Sequence, residues 1–176
     1  MNILITILIS LTGILVLALL TAFLMKKQHY VKREIIINAP AQKVFDFLKF
    51  LENQDKFNKH AMAGPDRQRE YKGTDGTIGF VYSWKGNKSA GEGEKEIKDL
   101  VEGKRIEMEI RFVKPMKASS TIIMEMESLA DNKTKVSWSN AGRLPVPVNI
   151  MIPMMEKALP KDMDESLQNL KNILEK

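Results

Sequence analysis

From Ile3 to Met25 the chain runs 23 residues without a charged side chain, softened only by Thr6, Ser10, Thr12, Gly13 and Thr21. A helix rising about 1.5 Å per residue over that length reaches about 35 Å, enough to cross a hydrocarbon layer of about 30 Å with some tilt. Lys26, Lys27, Lys32 and Arg33 follow at once. The pattern divides the chain into a membrane anchor with its basic flank, residues 1–27, and one soluble domain, residues 28–176.

A secretory signal peptide is the competing reading of the first segment. Such peptides carry a positive stretch, a core of about 7–15 apolar residues and a small-x-small cleavage site. Here no Lys or Arg precedes the span, its apolar core is too long, and Thr21-Ala22-Phe23-Leu24-Met25 makes a poor cleavage site. The segment therefore reads as an uncleaved anchor. Basic residues beside a span favour the cytoplasm, and here they all follow it. The expectation is a single-pass protein, of a bacterial inner membrane, with its domain in the cytoplasm. The absence of cysteine suits a reducing compartment and a disulfide-free exported domain equally, so it decides nothing.

The net charge of +5 does not point to nucleic acid. Residues 26–34 hold four bases and Glu34, a balance of +3, which leaves +2 spread over the rest of the chain. A nucleic-acid binder carries a basic stripe, whereas a basic cluster beside a span answers to orientation and anionic headgroups. Two histidines, His29 and His60, and no cysteine give no zinc-type ligand set, and no cofactor motif is present. Gly91-Glu92-Gly93 reads as a strand with glycines at a bend or beneath an aromatic ring, not as a phosphate loop.

Residues 31–37 read as a strand. Asn38-Ala39-Pro40 then opens a helix whose Val44, Phe47, Leu48 and Leu51 share one face. A second short helix carries Phe57, and Gly64-Pro65 closes the helical part. Beyond Arg67 the period changes to two, with turns between about six antiparallel strands. Ile78, Phe80, Tyr82 and Trp84 are expected on one face, as are Ile106, Met108, Ile110 and Phe112, then Ile122, Met124 and Met126, then Val136 and Trp138. Ile152, Met155, Leu159, Met163, Leu167, Leu170 and Leu174 make a helical stripe, which Pro160 should kink or divide. Strand, two helices, six strands and a long helix make an α+β domain, with a curved antiparallel sheet wrapped around the last helix.

Certain residues on those strands resemble the SRPBCC (START-like, helix-grip) superfamily, and within it the polyketide cyclase/dehydrase-like group. They are Tyr71-x-Gly73, Gly76, Gly79, Tyr82-x-Trp84, Gly86-Asn87, Gly91-x-Gly93 and Ile97. Arg105-Ile106, Phe112, Pro115-Met116, Val136-x-Trp138 and Leu167-x-x-Leu170-Lys171 follow. The resemblance spans about residues 31–176 and implies a deep, mostly apolar cavity between sheet and last helix. Its expected lining is Tyr82, Trp84, Met108, Phe112, Met124, Trp138 and Asn140 from the sheet, with Met155 and Leu159 from the helix. The same side chains are also what any α+β core would use.

Two functions fit. One is a membrane-anchored module that binds a hydrophobic small molecule or lipid, such as a quinone or acyl lipid, oriented by Tyr82, Trp84, Trp138 and Asn140. The other is an enzyme of cyclase, dehydrase or hydrolase type, which needs an acid or base inside the cavity. No histidine or carboxylate falls plainly on the inward faces. Glu92 and Glu94 reach inward only if a bulge at Gly91–Gly93 flips the strand, and His60 reads as a surface residue. A protein-docking module at the membrane is a third possibility to which no specific residue points.

Overall fold

The computed structural model describes residues 2–62, 67–86 and 91–176. The turns expected at Gly64-Pro65 and Asn87-Lys88 lie outside the described residues. The apolar segment is one helix, α1 (Ile3–Leu24), with mean hydropathy 2.9 and its residues exposed except at Ala18 and Ala22. The domain follows as β1 (Gln28–Ile37), α2 (Ala41–Leu48), α3 (Gln54–Phe57) and α4 (Lys59–Met62). Strands β2 (Gln68–Lys72), β3 (Val81–Lys85), β4 (Glu92–Val101), β5 (Arg105–Lys114), β6 (Ala118–Ala130) and β7 (Lys133–Arg143) come next, and α5 (Ile152–Leu174) ends the chain.

The seven strands form one antiparallel sheet in the order β1-β7-β6-β5-β4-β3-β2, so consecutive strands pair and only β1 returns to lie beside β7. Its inner face carries the expected alternation. Ile106, Met108, Ile122, Met124, Met126, Val136 and Trp138 are buried against Val44, Phe45 and Leu48 of α2 and Met163, Leu167, Leu170 and Leu174 of α5. These residues join in one core, and all of its members lie between Val31 and Leu174, outside α1.

Two expectations are corrected. The strand expected to carry Ile78 begins only at Val81, and Ile78 is 61% exposed instead of sharing the Tyr82 face. Gly76 and Gly79 take φ of 81° and 85°, values that favour glycine, and the turn they make breaks the two-residue period before the strand starts. Pro160 does not divide the last helix: α5 runs through it unbroken, without the one backbone bond that proline cannot donate.

The sheet has a closed end and an open end. At the closed end Leu167, Leu170 and Leu174 are buried, and Lys43 Nζ donates to Leu174 O at 2.8 Å. At the other end, where β1 begins and β7 stops, Met155 and Leu159 of α5 and Ile110 of β5 are only half-buried. This is the α1 end. Buried Asn149 donates its side-chain amide to Ala22 O at 2.6 Å, Leu144 N donates to Lys27 O at 2.9 Å, and Lys26 pairs with Glu156 at 2.6 Å. The carbonyls at the end of α1, which no helical N–H can reach, thus find donors in the domain.

Candidate functional site

The registers place most of the expected lining on one face. Tyr82, Trp84, Met108, Met124 and Trp138 are buried and point into the core. Phe112 stands at the open rim, 37% exposed, its ring edge-on to Trp84 at 5.9 Å between centroids. Gly93 lies between these two on β4, paired with both Trp84 and Phe112. A side chain there would meet the Trp84 ring at 2.8 Å, so glycine lets the indole lie flat on the strand. On α5, Leu159 packs against the core and, like Met155, is half-buried.

The polar candidates differ in their partners. Asn140 Oδ1 accepts from His29 Nε2 at 2.9 Å, a local bond that ties β7 to the start of β1. Tyr82 donates its hydroxyl to both carboxylate oxygens of Asp55 at 3.1 and 3.2 Å. Burial, with the Asp55 charge beside it, pushes the Tyr82 phenol up to about 12. Trp138 Nε1 is buried without a hydrogen-bond partner among the described residues, so it is a donor left open inside the domain.

The carboxylates of β4 stay outside. Gly93, Lys95 and Ile97 face inward, so Glu92, Glu94 and Glu96 take the solvent side, although the ladder shifts register at Glu92/Gly93. There Arg111 bonds to Glu94 at 2.6 Å and to Glu96 at 2.8 Å, which raises its guanidinium further above its ordinary range. Lys114 pairs with Glu92 at 2.9 Å and holds that carboxyl below the usual value. His60 is exposed and 3.2 Å from Asp162.

The same register that turns the acids out turns Lys95 in. Its side chain is 9% exposed, and Nζ donates a short hydrogen bond to Oε1 of buried Gln54, whose amide in turn donates to Met108 Sδ at 3.2 Å. Burial is the main cause that brings the ammonium down to about 8; the Arg67 charge adds to the effect and Asp55 opposes it. Arg67 bonds to Asp55 and lies 5.6 Å over the Tyr82 ring, while Arg69 Nε donates to Asp55 at 2.7 Å. Gln54, Asp55, Arg67, Arg69, Tyr82 and Lys95, from α3 and β2 to β4, thus form a polar cluster one rung deeper than the Trp84–Gly93–Phe112 layer. Five of these six are absent from the expected lining. One signal pointed to Lys95: Gly93 and Ile97 both belong to the resemblance set, and on a strand the residue between them shares their face.

Surface clefts open at both ends of the sheet. One, about 810 Å³, wraps the α1 end of β1, β6 and β7 and is lined by polar groups including Lys26, His29, Ser120, Arg143 and Glu156. Another, about 720 Å³, lies at the closed end near Lys32, Lys104, Glu125 and Lys135. Neither is lined by the Trp84, Met108 and Phe112 set. No group of three or more metal-ligating side chains occurs among the described residues.

Residues 28–175 match the family described as Polyketide cyclase / dehydrase and lipid transport. Among solved structures, norcoclaurine synthase from Thalictrum flavum, in complex with dopamine and hydroxybenzaldehyde, is 12% identical with a TM-score of 0.62, over 84% of this chain and 87% of that one. Protein CV1439 from Chromobacterium violaceum is 15% identical with a TM-score of 0.57, over 84% of this chain and 97% of that one. The Aha1 dimer from Colwellia psychrerythraea is 16% identical with a TM-score of 0.57, over 84% of this chain and 96% of that one. At these identities the likeness is one of fold. No curated protein matches the chain at a significant level.

Proposed function

We propose, from the premise that this chain belongs to the polyketide cyclase / dehydrase and lipid transport family, that it is a membrane-tethered module which binds a hydrophobic small molecule or lipid. One observation carries the reading: the inner face is sealed at the end away from α1 and incompletely covered at the end beside it. Met155, Leu159 and Ile110 are half-buried there, Phe112 is exposed at the rim, and Trp138 Nε1 lacks a partner among the described residues. An apolar lining with a few open polar groups is what a small-molecule site needs. The tether adds a physical reason for this placement. A ligand dissolved in the bilayer reaches a mouth beside α1 without crossing bulk water, and transfer of apolar surface through water costs about 25 cal/mol per Å².

The test is native mass spectrometry of the full chain released from membranes in mild detergent. The expected result is a bound mass that survives washing and that added quinone or acyl lipid displaces. A chain that is always ligand-free, and whose Trp84 and Trp138 fluorescence no such compound alters, overturns the reading.

A second reading, an enzyme of cyclase or dehydrase type, gains one specific observation. Lys95 is a buried base brought down to about 8 and set beside a phenol, and general acid–base chemistry favours groups that titrate near the working pH. Turnover of a hydrophobic carbonyl substrate that Lys95→Met abolishes while ligand binding persists would decide for it.

A further inference from the structure

Among the described residues, the buried cations Lys95 and Arg67 have one carboxylate beside them, Asp55, which Arg69 shares. Asp55 is already engaged three times over, by both guanidiniums and by the Tyr82 hydroxyl. Lys95 Nζ, with three protons to donate, has one acceptor, the neutral Gln54 amide oxygen. Arg67 has a side chain only 6% exposed, and its Nε is buried without an acceptor among the described residues. A buried cation left without a counter-charge is costly, and an anion that completes its hydrogen bonds offsets that cost.

The position of the excess charge fits the proposed mouth. Lys95 is flanked in the sheet by Tyr82 and Ile110, two residues inward from Gly93, which Trp84 and Phe112 flank. Two residues of strand are about 7 Å. A charged group at Lys95 therefore sits just beneath an aromatic rim, beside the half-buried apolar side chain of Ile110.

We propose that the site selects an amphiphile with a terminal acidic group, a carboxylate or phosphate held by Lys95 and Arg67, whose apolar body lies under Trp84 and Phe112. The inference rests on the hydrophobic-ligand reading above and deepens it. Lys95 supplies the point charge and Arg67 a planar donor. Asp55 keeps Arg67 and Arg69 oriented, and the Tyr82 ring beneath the Arg67 guanidinium fixes its height above the sheet.

The experiment uses the full chain in phosphatidylcholine nanodiscs. Bromine quenches indole fluorescence only at close range, and both tryptophans of the chain belong to this inner face. Dibromostearic acid, its methyl ester and inorganic phosphate alone are compared at equal mole fraction in the disc. The acid is expected to half-quench at a concentration about tenfold below the ester, and phosphate, which carries no quencher, is expected to compete with the acid only weakly. Lys95→Met should bring the acid to the ester's level while the variant still unfolds in one cooperative transition. Equal quenching by acid and ester in the natural chain overturns the acidic-group inference and leaves the hydrophobic-ligand reading standing. No quenching by either overturns both. A preference for the acid that survives Lys95→Met moves the acidic group elsewhere and overturns the assignment. If that variant does not fold, Arg67→Met serves the same purpose, and the acid-to-ester ratio of the natural chain decides independently.

Discussion

Replacing Lys95 with methionine tests the buried amine through stability alone, with no ligand. The amine is brought down from 10.5 to about 8 in the folded chain, mainly by burial. Between those two values the unfolded chain holds a proton that the folded chain has released, so stability rises with pH across that window. At about 1.4 kcal/mol per pKa unit, the natural chain should gain about 2.5 kcal/mol from about pH 7 to about pH 10 through this residue. A thioether does not titrate, so the Lys95→Met variant lacks that gain. The other groups keep their own dependences in both proteins. Lys49 and Lys59, raised chiefly by hydrogen bonds to Asp46 and Glu165, contribute stability that is lost as pH rises through their folded values. Tyr82, raised to about 12, loses stability only above the ordinary tyrosine value near 10. The difference between the two curves therefore isolates Lys95. At neutral pH the variant also strands Gln54 Oε1, at a cost of about 1–3 kcal/mol, so the slope is a sharper test than the absolute value. Urea unfolding of the full chain in nanodiscs, followed by tryptophan fluorescence, gives both curves. If they run parallel within about 0.5 kcal/mol, well inside the expected gain, Lys95 keeps an ordinary pKa in the folded chain and its burial is refuted.

Residues 28–176 alone should yield a soluble, folded domain, since no core member precedes Val31; losing the Asn149 bonds to Ala22, Met25 and Lys26 should cost about 1–2 kcal/mol. Aggregation of that fragment with no cooperative unfolding transition would show that the boundary is wrong. A reporter fused after Lys176 should read as cytoplasmic, and protease access to it from the outer side of intact cells would reverse the orientation. Trp84→Leu and Trp138→Leu should each weaken ligand binding more than Val44→Ala does, compared at matched stability loss. Truncating a buried aromatic costs about 3–5 kcal/mol by itself, so binding lost in proportion to stability would mean that the rings only build the core.

The fold was largely readable because its signals are local and repeated. Alternation along Ile106–Phe112 and the stripe from Ile152 to Leu174 each specify an element and its buried face without reference to the rest of the chain. The failures sit where one residue changes the period. Gly79, at positive φ, ends the alternation that would have placed Ile78 inside. The site was less legible for a different reason. A lysine within the run Glu92–Glu96 looks like part of a solvated face, and only the register of Gly93 and Ile97 shows that Lys95 turns inward. Its companions come from α3 and β2, and nothing in the spacing of Gln54, Asp55, Arg67 and Arg69 foretells that the chain folds them onto one spot. Asn140 lies on the expected face, and there His29, near the start of β1, donates to its side-chain oxygen.

A charged residue in an apolar interior breaks the rule that the rest of the sheet obeys, and such breaks concentrate where a protein has something to do. Here the break is also directional. Were Lys95 at the sealed end, beside Ile106 or Val136, no ligand could reach it past α2 and the buried half of α5, and its cost would serve only structure. It lies instead toward the end where Met155 and Leu159 are half-buried, where Asn149 and Lys26 tie α1 to the domain, and where Phe112 marks the rim. Under the proposed function, a charge placed there would discriminate among bilayer-soluble molecules that hydrophobicity alone cannot tell apart. Apolar contact binds any acyl chain or ring of similar size, with only about 1–3 kcal/mol for each methylene gained or lost. A buried pair of cations instead rejects a neutral ligand that leaves them unpaired. Under the proposed function, α1, the open end and Lys95 belong to one arrangement: the first sets where the ligand comes from, the second admits it, and the third selects which ligand stays.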